Sequence, residues 1–196
     1  MTKFGIGQSV SRFEDPRLLR GRGCFVDDIN LAGQAYAVLL RSPHANANIR
    51  SIDLAPALAS PGVLAVYTGD DVARDGLGTM KVNVPRKRPD GSPMFARAHT
   101  GLTRGRVRYV GDPVAMVIAE SVWQAKDAAE KIEIDYEALP SVTDTAQTVA
   151  PGAAAVWDEC PDNISNVFEA GDAKATAEAF AKAAHVVRRR YVISRV

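Results

Sequence analysis

A chain of 196 residues, 46% of them hydrophobic, can bury a core of its own without disulfide staples and has the apolar share of an ordinary globular domain. Its 24 basic and 23 acidic side chains leave a net charge of +1, which argues against a dedicated nucleic-acid binder. No run of 18 apolar residues offers a membrane span, and the opening MTKFGIGQSVSRFEDP lacks the apolar stretch of a signal peptide. Cys24 and Cys160 are too few for an iron–sulfur cluster or a four-cysteine zinc site, so a reduced, cytoplasmic setting is expected.

Residues 1–33 hold five glycines and many charges, and read as an extended arm with turns. Gln34 to Arg41, QAYAVLLR, reads as a strand that Ser42-Pro43-His44 breaks. Ile49, Ile52 and Leu54 suggest a second strand, and Pro56 to Ala59 a helical turn. Pro61-Gly62 is a turn signal before a third strand, Val63 to Tyr67, and Asp70 to Ala73 reads as another helical turn. Residues 74–105 then change character, with Gly76, Gly78, Pro85, Pro89, Gly91, Pro93, Gly101 and Gly105 around the basic run Arg86-Lys87-Arg88. Loops of this length inside compact domains tend to be functional or mobile.

The most organised stretch is Arg106 to Pro140. Pro113 to Ala119 is almost wholly apolar and valine-rich, as a strand covered on both faces would be. Ser121 offers a helix cap with Gln124 at capping-box spacing, and Val122, Ala125, Ala129 and Ile132 recur on one helical stripe. From Lys131 the period becomes two, with Ile132, Ile134 and Tyr136 facing one way and Lys131, Glu133 and Asp135 the other. The two strands are expected to be neighbours in one sheet, their relative direction left open.

Further on, Asp144 to Val149 reads as a short helix and residues 150–171 as loop. Asp172 caps a helix to Ala184, with Ala173, Ala177, Phe180 and Ala184 on one stripe and a Glu178–Lys182 pair at i,i+4. His185 to Ser194 alternates as a strand would. A strand at a chain end needs a neighbour, so a longer polypeptide is expected. No internal repeat is present.

Candidate chemistry is sparse. Gly5-Ile6-Gly7, Gly21-Arg22-Gly23 and Gly76-Leu77-Gly78 lack the third glycine and the strand–helix setting of a dinucleotide fingerprint, and read as loop geometry. His44, His99 and His185 have no cysteine or carboxylate at ligand spacing. His99 lies in the long loop, but no nucleophile or orienting partner can be named for it. Of the carboxylate pairs, Asp27-Asp28 points to opposite sides of an extended chain, Asp70-Asp71 reads as a cap, and Glu133/Asp135 as the wet face of a strand. Arg86-Lys87-Arg88, Arg104/Arg106/Arg108 and Arg188-Arg189-Arg190 lack interleaved aromatics for base stacking, and read as solvated or docking faces.

Taken in order, a series of short motifs resembles one family. It comprises Arg12 with Glu14-Asp15, Arg17-Leu18-Leu19, Gly21-Arg22-Gly23, Asp27-Asp28 and Arg41-Ser42-Pro43-His44-Ala45. Pro61-Gly62-Val63 and Val107-Arg108-Tyr109-Val110-Gly111-Asp112-Pro113-Val114-Ala115 continue it. Asp127-Ala128-Ala129-Glu130, Asp135-Tyr136-Glu137-Ala138-Leu139-Pro140 and Gly171-Asp172 complete it. The series resembles the start of the molybdenum-binding large subunit of the xanthine dehydrogenase, aldehyde oxidase and carbon monoxide dehydrogenase family. Where that family often has His-Ala-His-Ala-Arg, this chain has His44-Ala45-Asn46-Ala47-Asn48, so no role is carried over for a second histidine.

The resemblance implies an α/β (α+β) hammerhead domain with a mixed sheet and a few packed helices, plus the first elements of the molybdenum-binding domain. The implied layout is an arm at 1–33, the hammerhead at 34–150, a linker at 151–171 and the start of the next domain at 172–196. The implied activity is that of a molybdopterin-dependent oxidoreductase acting on an aldehyde, an N-heterocycle or carbon monoxide. The cofactor carries the oxidation, and electrons leave through iron–sulfur clusters to a flavin. The family's cofactor loops and catalytic glutamate lie beyond Val196, so no catalytic, cofactor-binding or metal-ligating residue is assigned here, and the isolated segment is expected to be structural and inactive. Implied partners are the remaining molybdopterin-binding domain, an iron–sulfur small subunit and an FAD medium subunit, with no nucleic acid and no membrane. The 74–105 loop and the arginines at 104, 106 and 108 are expected contacts to them. Two other readings are a free-standing interaction module that reuses the fold, and a hydrolase using His99.

Overall fold

A computed structural model describes residue 7 and residues 11–81, 84–88, 90–97 and 99–191. The chain forms two compact units: residues 1–78 with 100–139, and residues 79–99 with 140–196.

The first unit begins with a largely exposed arm holding a one-turn helix, α1 (Asp15–Leu18), and a 3-10 turn at Val26–Asp28. Then come β1 (Tyr36–Arg41), β2 (Ala47–Asp53), α2 (Ala55–Leu58), β3 (Val63–Thr68) and α3 (Gly69–Arg74). After the excursion into the second unit follow β4 (Arg106–Val107), β5 (Pro113–Ala119), α4 (Val122–Ala129) and β6 (Glu133–Ala138). The valine-rich strands and the Ser121 cap lie where periodicity places them. The Gln124 N–H donates to the Ser121 hydroxyl oxygen at 3.3 Å, and that hydroxyl donates to Gln124 Oε1 at 2.7 Å.

The strands form two antiparallel sheets, β1-β5-β3 and β4-β2-β6, among the described residues. This corrects two expectations. The α/β class holds, but in place of the implied mixed sheet there are two antiparallel ones, and β5 and β6 are not neighbours. β5 lies between β1 and β3, whereas β6 pairs with β2, Ile134 opposite Ile52. The physical reason is the connection: an eight-residue α4 is near the shortest crossover that returns a parallel strand to its own sheet. Here it carries the chain to a second sheet instead.

Alanines explain the packing. Ala125, Ala128 and Ala129 of α4 are buried against Ala115, Val117 and Ala119 of β5, with Val38, Leu40 and Val66 alongside. Small side chains let the helix backbone approach the sheet closely, and Ile132 closes the end of this core. A second cluster, Ala47, Val107 and Val114, joins the two sheets, with Ile49 and Tyr136 against it. The turn before β3 requires Gly62, at φ +75°, where a Cβ would meet the Gln124 side chain.

In the second unit, the central part of the long loop is ordered by short-range pairing. Met80 bridges to His99, and Lys87 to Pro93. Asp144 to Val149 is a run of turns rather than the expected helix: Gln147 N–H donates to Asp144 O at 3.0 Å, and Ala150 N–H to Gln147 O at 3.0 Å. α5 (Ala173–Lys182) carries the expected Asp172 cap, which accepts from the Ala175 N–H at 2.8 Å. Its Ala173, Ala177 and Phe180 stripe is exposed, not buried. Residues 185–191 form neither helix nor strand, so the expected strand is absent there; residues 192–194 lie outside the described residues. A strand forms only with a neighbouring edge, and none is present beside this segment among the described residues.

Candidate functional site

Two polar constellations invite a functional reading, one in each unit. In the first, the turn after β1 meets the turn before β5. Asp112, 7% exposed, is the hub. Its Oδ1 accepts from the Thr103 hydroxyl, and its Oδ2 from the Arg108 backbone N–H at 3.0 Å. Its carbonyl accepts from the Ser42 N–H at 2.9 Å, and the Ser42 carbonyl accepts from the Gly111 N–H at 2.8 Å. Arg41 adds a bond from Nη1 to the Gly111 carbonyl at 2.9 Å. Thus Arg41-Ser42-Pro43-His44 and Val110-Gly111-Asp112-Pro113, distant in sequence, become one knot.

The knot does not contain a catalytic pair. The Ser42 hydroxyl donates to the His44 carbonyl at 3.1 Å and accepts from the His44 N–H at 3.0 Å, which is a local turn rather than a link to imidazole nitrogen. The His44 ring instead tilts against Tyr136, 4.9 Å between centroids. The Tyr136 hydroxyl is buried without a hydrogen-bond partner of good geometry. Burial raises its pKa, the Asp112 charge adds to this, and the Ser42 hydroxyl draws it back. Tyr109 is also raised, by burial first and by Asp112 second. A junction built this way fixes backbone; it presents no activated nucleophile.

The arginines at 104, 106 and 108 are engaged within this unit. Arg104 pairs with Asp70, Arg106 Nε donates to Asn46 Oδ1 at 2.9 Å, and Arg108 Nη1 donates to the Arg106 carbonyl at 3.0 Å. Of the three, only Arg106 lies in a strand, the two-residue β4. Asp71 caps α3, accepting from the Thr68 N–H at 2.7 Å and from its hydroxyl at 2.9 Å. The Thr68 backbone bond leads the lowering of its pKa. Glu133 and Asp135 are exposed on β6, as the period predicted.

In the second unit, Phe95, Arg97, His99, Trp157, Cys160 and Ser165 are among the lining of a cleft of about 390 Å³. Phe95 N–H donates to the Ser165 carbonyl at 3.0 Å, and the Ser165 hydroxyl returns to the Phe95 carbonyl at 2.7 Å. Arg97 pairs with Glu159 and lies 5.5 Å over the Trp157 ring; Arg88 pairs with Asp162; Arg86 lies 5.1 Å over Phe168. The Cys160 thiol donates to Asp162 Oδ1 at 3.3 Å. Burial pushes its pKa up, the Asp162 bond and charge add to that, and Arg88 opposes them. Such a thiol is inert rather than nucleophilic. Sequence reasoning missed this clip, because side-chain pairs such as Arg88–Asp162 span 74 residues and leave no periodic mark.

The remaining candidates stay apart. Gly5 and Ile6 lie outside the described residues; Gly7, Gly21 and Gly76 occupy left-handed turns. Asp28 caps its own 3-10 turn, accepting from the Phe25 N–H at 2.9 Å. Among the described residues no group of three His, Cys, Asp or Glu side chains converges as a metal site.

Comparison with known proteins adds the frame. Residues 20–140 match the family described as aldehyde oxidase and xanthine dehydrogenase, a/b hammerhead domain. The nicotine 6-hydroxylase large subunit of Paenarthrobacter nicotinovorans is 37% identical over all of this chain and 23% of its own length. The carbon monoxide dehydrogenase large chain of Afipia carboxidovorans is 32% identical, over 98% of this chain and 24% of its own. A crystal structure of Cu,Mo-CO dehydrogenase superposes with a TM-score of 0.68 at 32% identity, over 92% of this chain and 23% of that one. Quinoline 2-oxidoreductase from Pseudomonas putida 86 gives 0.63 at 41% identity, over 78% of this chain and 19% of that one. The chain therefore spans about a quarter of the length of these curated relatives.

Proposed function

The chain belongs to the aldehyde oxidase and xanthine dehydrogenase family through its α/β hammerhead domain, and from that premise we propose that it is the supporting front part of the large subunit of a molybdenum hydroxylase. Its hammerhead occupies residues 34–150, after an arm at 1–33, and leads through a linker at 151–171 into the start of the molybdopterin-binding domain at 172–196. The whole subunit oxidises a small substrate of the aldehyde, N-heterocycle or carbon monoxide kind, and this segment holds the architecture around that centre. Molybdopterin sits in the rest of the subunit; iron–sulfur clusters and FAD sit on partner subunits, in the cytoplasm.

The two thiols of this chain do not fit an iron–sulfur cluster. A cluster needs four thiolates, whereas Cys24 and Cys160 are isolated and Cys160 is held as a neutral thiol. Its residues have a different task. Asp112 ties the two sheets' ends together, and the Arg88 and Arg97 pairs tie the long loop to residues 159–162. Both are positioning roles.

The observation that carries the reading is the 37% identity to a hydroxylase large subunit across the whole chain, combined with the 23% share of that relative's length. The test is to read the gene past codon 196 and measure molybdenum in the purified product and in the 196-residue chain. A subunit about four times as long that carries molybdenum, beside a 196-residue chain that carries none, is the expected result. A stop codon at 197, or molybdenum retained by the short chain, would overturn it.

A further inference from the structure

The sheet β1-β5-β3 has a second face, turned away from α4. The register sets Ala37, Ile118 and Ala65 in one row across it and Leu39, Met116 and Tyr67 in the next. Val114, the next residue of β5 on this side, is fully buried by the other sheet. Beyond Val114 the cover stops. Leu39 is 38% exposed, Tyr67 36% and Leu64, in the β3 bulge, 57%. Met116 and Ile118, on the central strand, are only half-buried.

An antiparallel sheet that keeps one face in water alternates apolar with polar residues. β5, PVAMVIA, does not alternate, and neither does YAVLL of β1. Both rows are free of charge, and the Tyr67 hydroxyl is their only polar side-chain atom. Arg41, at the end of β1, turns its guanidinium to the Gly111 carbonyl. Such composition matches a permanent interface, which resembles a domain core cut in two, rather than the more polar face of an exchangeable subunit.

We propose that this face is the seat of the later part of the same polypeptide, the molybdenum-binding region that the family resemblance places after residue 196. This rests on the reading under Proposed function. Relatives in which the matched region is 23–24% of the chain must pack the remaining three-quarters against something. An uncharged sheet face supplies a seat for it.

The test uses the full-length subunit, purified with whatever subunits accompany it. A photo-cross-linking amino acid replaces Leu39 in one preparation and Tyr67 in another; both positions are partly exposed, so the probe is tolerated in the fold. Mass spectrometry then identifies the cross-linked peptides. The expected dominant adduct joins each position to residues numbered above 196 in the same polypeptide. Adducts to a different subunit, adducts to a second copy, or probes quenched by water alone would overturn the proposal while leaving the family reading intact. A gene product ending at residue 196 would overturn both.

Discussion

Replacing Gly62 by alanine tests whether the turn before β3 and the first turn of α4 are built against each other. At φ +75° an L-residue pays roughly 1–2 kcal/mol for the left-handed backbone. The new Cβ would also stand 2.1 Å from Gln124 Nε2 and 2.4 Å from Cδ, so the amide must swing aside. That breaks its 2.7 Å bond with the Ser121 hydroxyl, worth about 1 kcal/mol. The Ser121 cap itself survives, because the Gln124 N–H still donates to it. Gly62→Ala is therefore expected to destabilise by about 2–3 kcal/mol in urea unfolding followed by far-UV circular dichroism. The three nearest atoms all belong to the Gln124 amide, so a Gln124→Ala background removes the collision and leaves the backbone penalty. In that background the cost of Gly62→Ala falls by about 1 kcal/mol, which a double-mutant cycle resolves. Equal costs in the two backgrounds, or a neutral Gly62→Ala, would refute the reasoning.

Three further outcomes follow from the same structure. Asp112→Ala strands the Thr103 hydroxyl and the Arg108 N–H in a buried site, and is expected to cost about 2–4 kcal/mol in the same unfolding assay; a loss below about 0.5 would show that Asp112 is no hub. Tyr136→Phe deletes a buried hydroxyl without a good partner, so stability at pH 7 is expected to stay within about 0.5 kcal/mol or rise. Burial holds the Tyr136 proton on, so its contribution is complete below the ordinary pKa of 10.0 and is lost as pH rises through the higher folded value. The variant should lose less stability than the parent above pH 10; an unchanged alkaline limb counts against it. With a maleimide, exposed Cys24 is expected to label at least about 100-fold faster than buried Cys160, and the two to converge in denaturant; equal native rates would contradict the closed clip around Cys160.

Local chemistry was legible in the sequence wherever it was short-range. Ser121 and Gln124 announce α4, Asp172 announces α5, and Asp70-Asp71 announces α3. Alternation from Ile132 to Tyr136 correctly assigned the wet and dry sides of β6. Pairing partners were not legible. Nothing in Glu133 to Ala138 says that its neighbour is β2, some 80 residues earlier, rather than β5, because a period of two fixes the face of a strand and not its mate. The stripe on α5 shows the complementary failure. Ala173, Ala177 and Phe180 recur on one helical stripe, yet they are exposed, since periodicity reports a surface suited to cover and not whether the cover is present. The polar knot was half visible. Its two motifs carried the family resemblance, but that Ser42 and Asp112 meet required the fold.

The division of the chain into two units has a practical consequence for anyone cutting the gene. The backbone passes from one unit to the other at residues 78–79, returns at 99–100 and leaves again at 139–140. A stretch ending near residue 139 would retain Arg88, Phe95 and Arg97 while discarding Asp162, Ser165 and Glu159. The excursion would then hang as a protease-sensitive flap with stranded guanidinium groups. Clean excision means replacing residues 79–99 with a short glycine-rich bridge, so that the strand-and-helix body is spliced from two separate exon-like pieces.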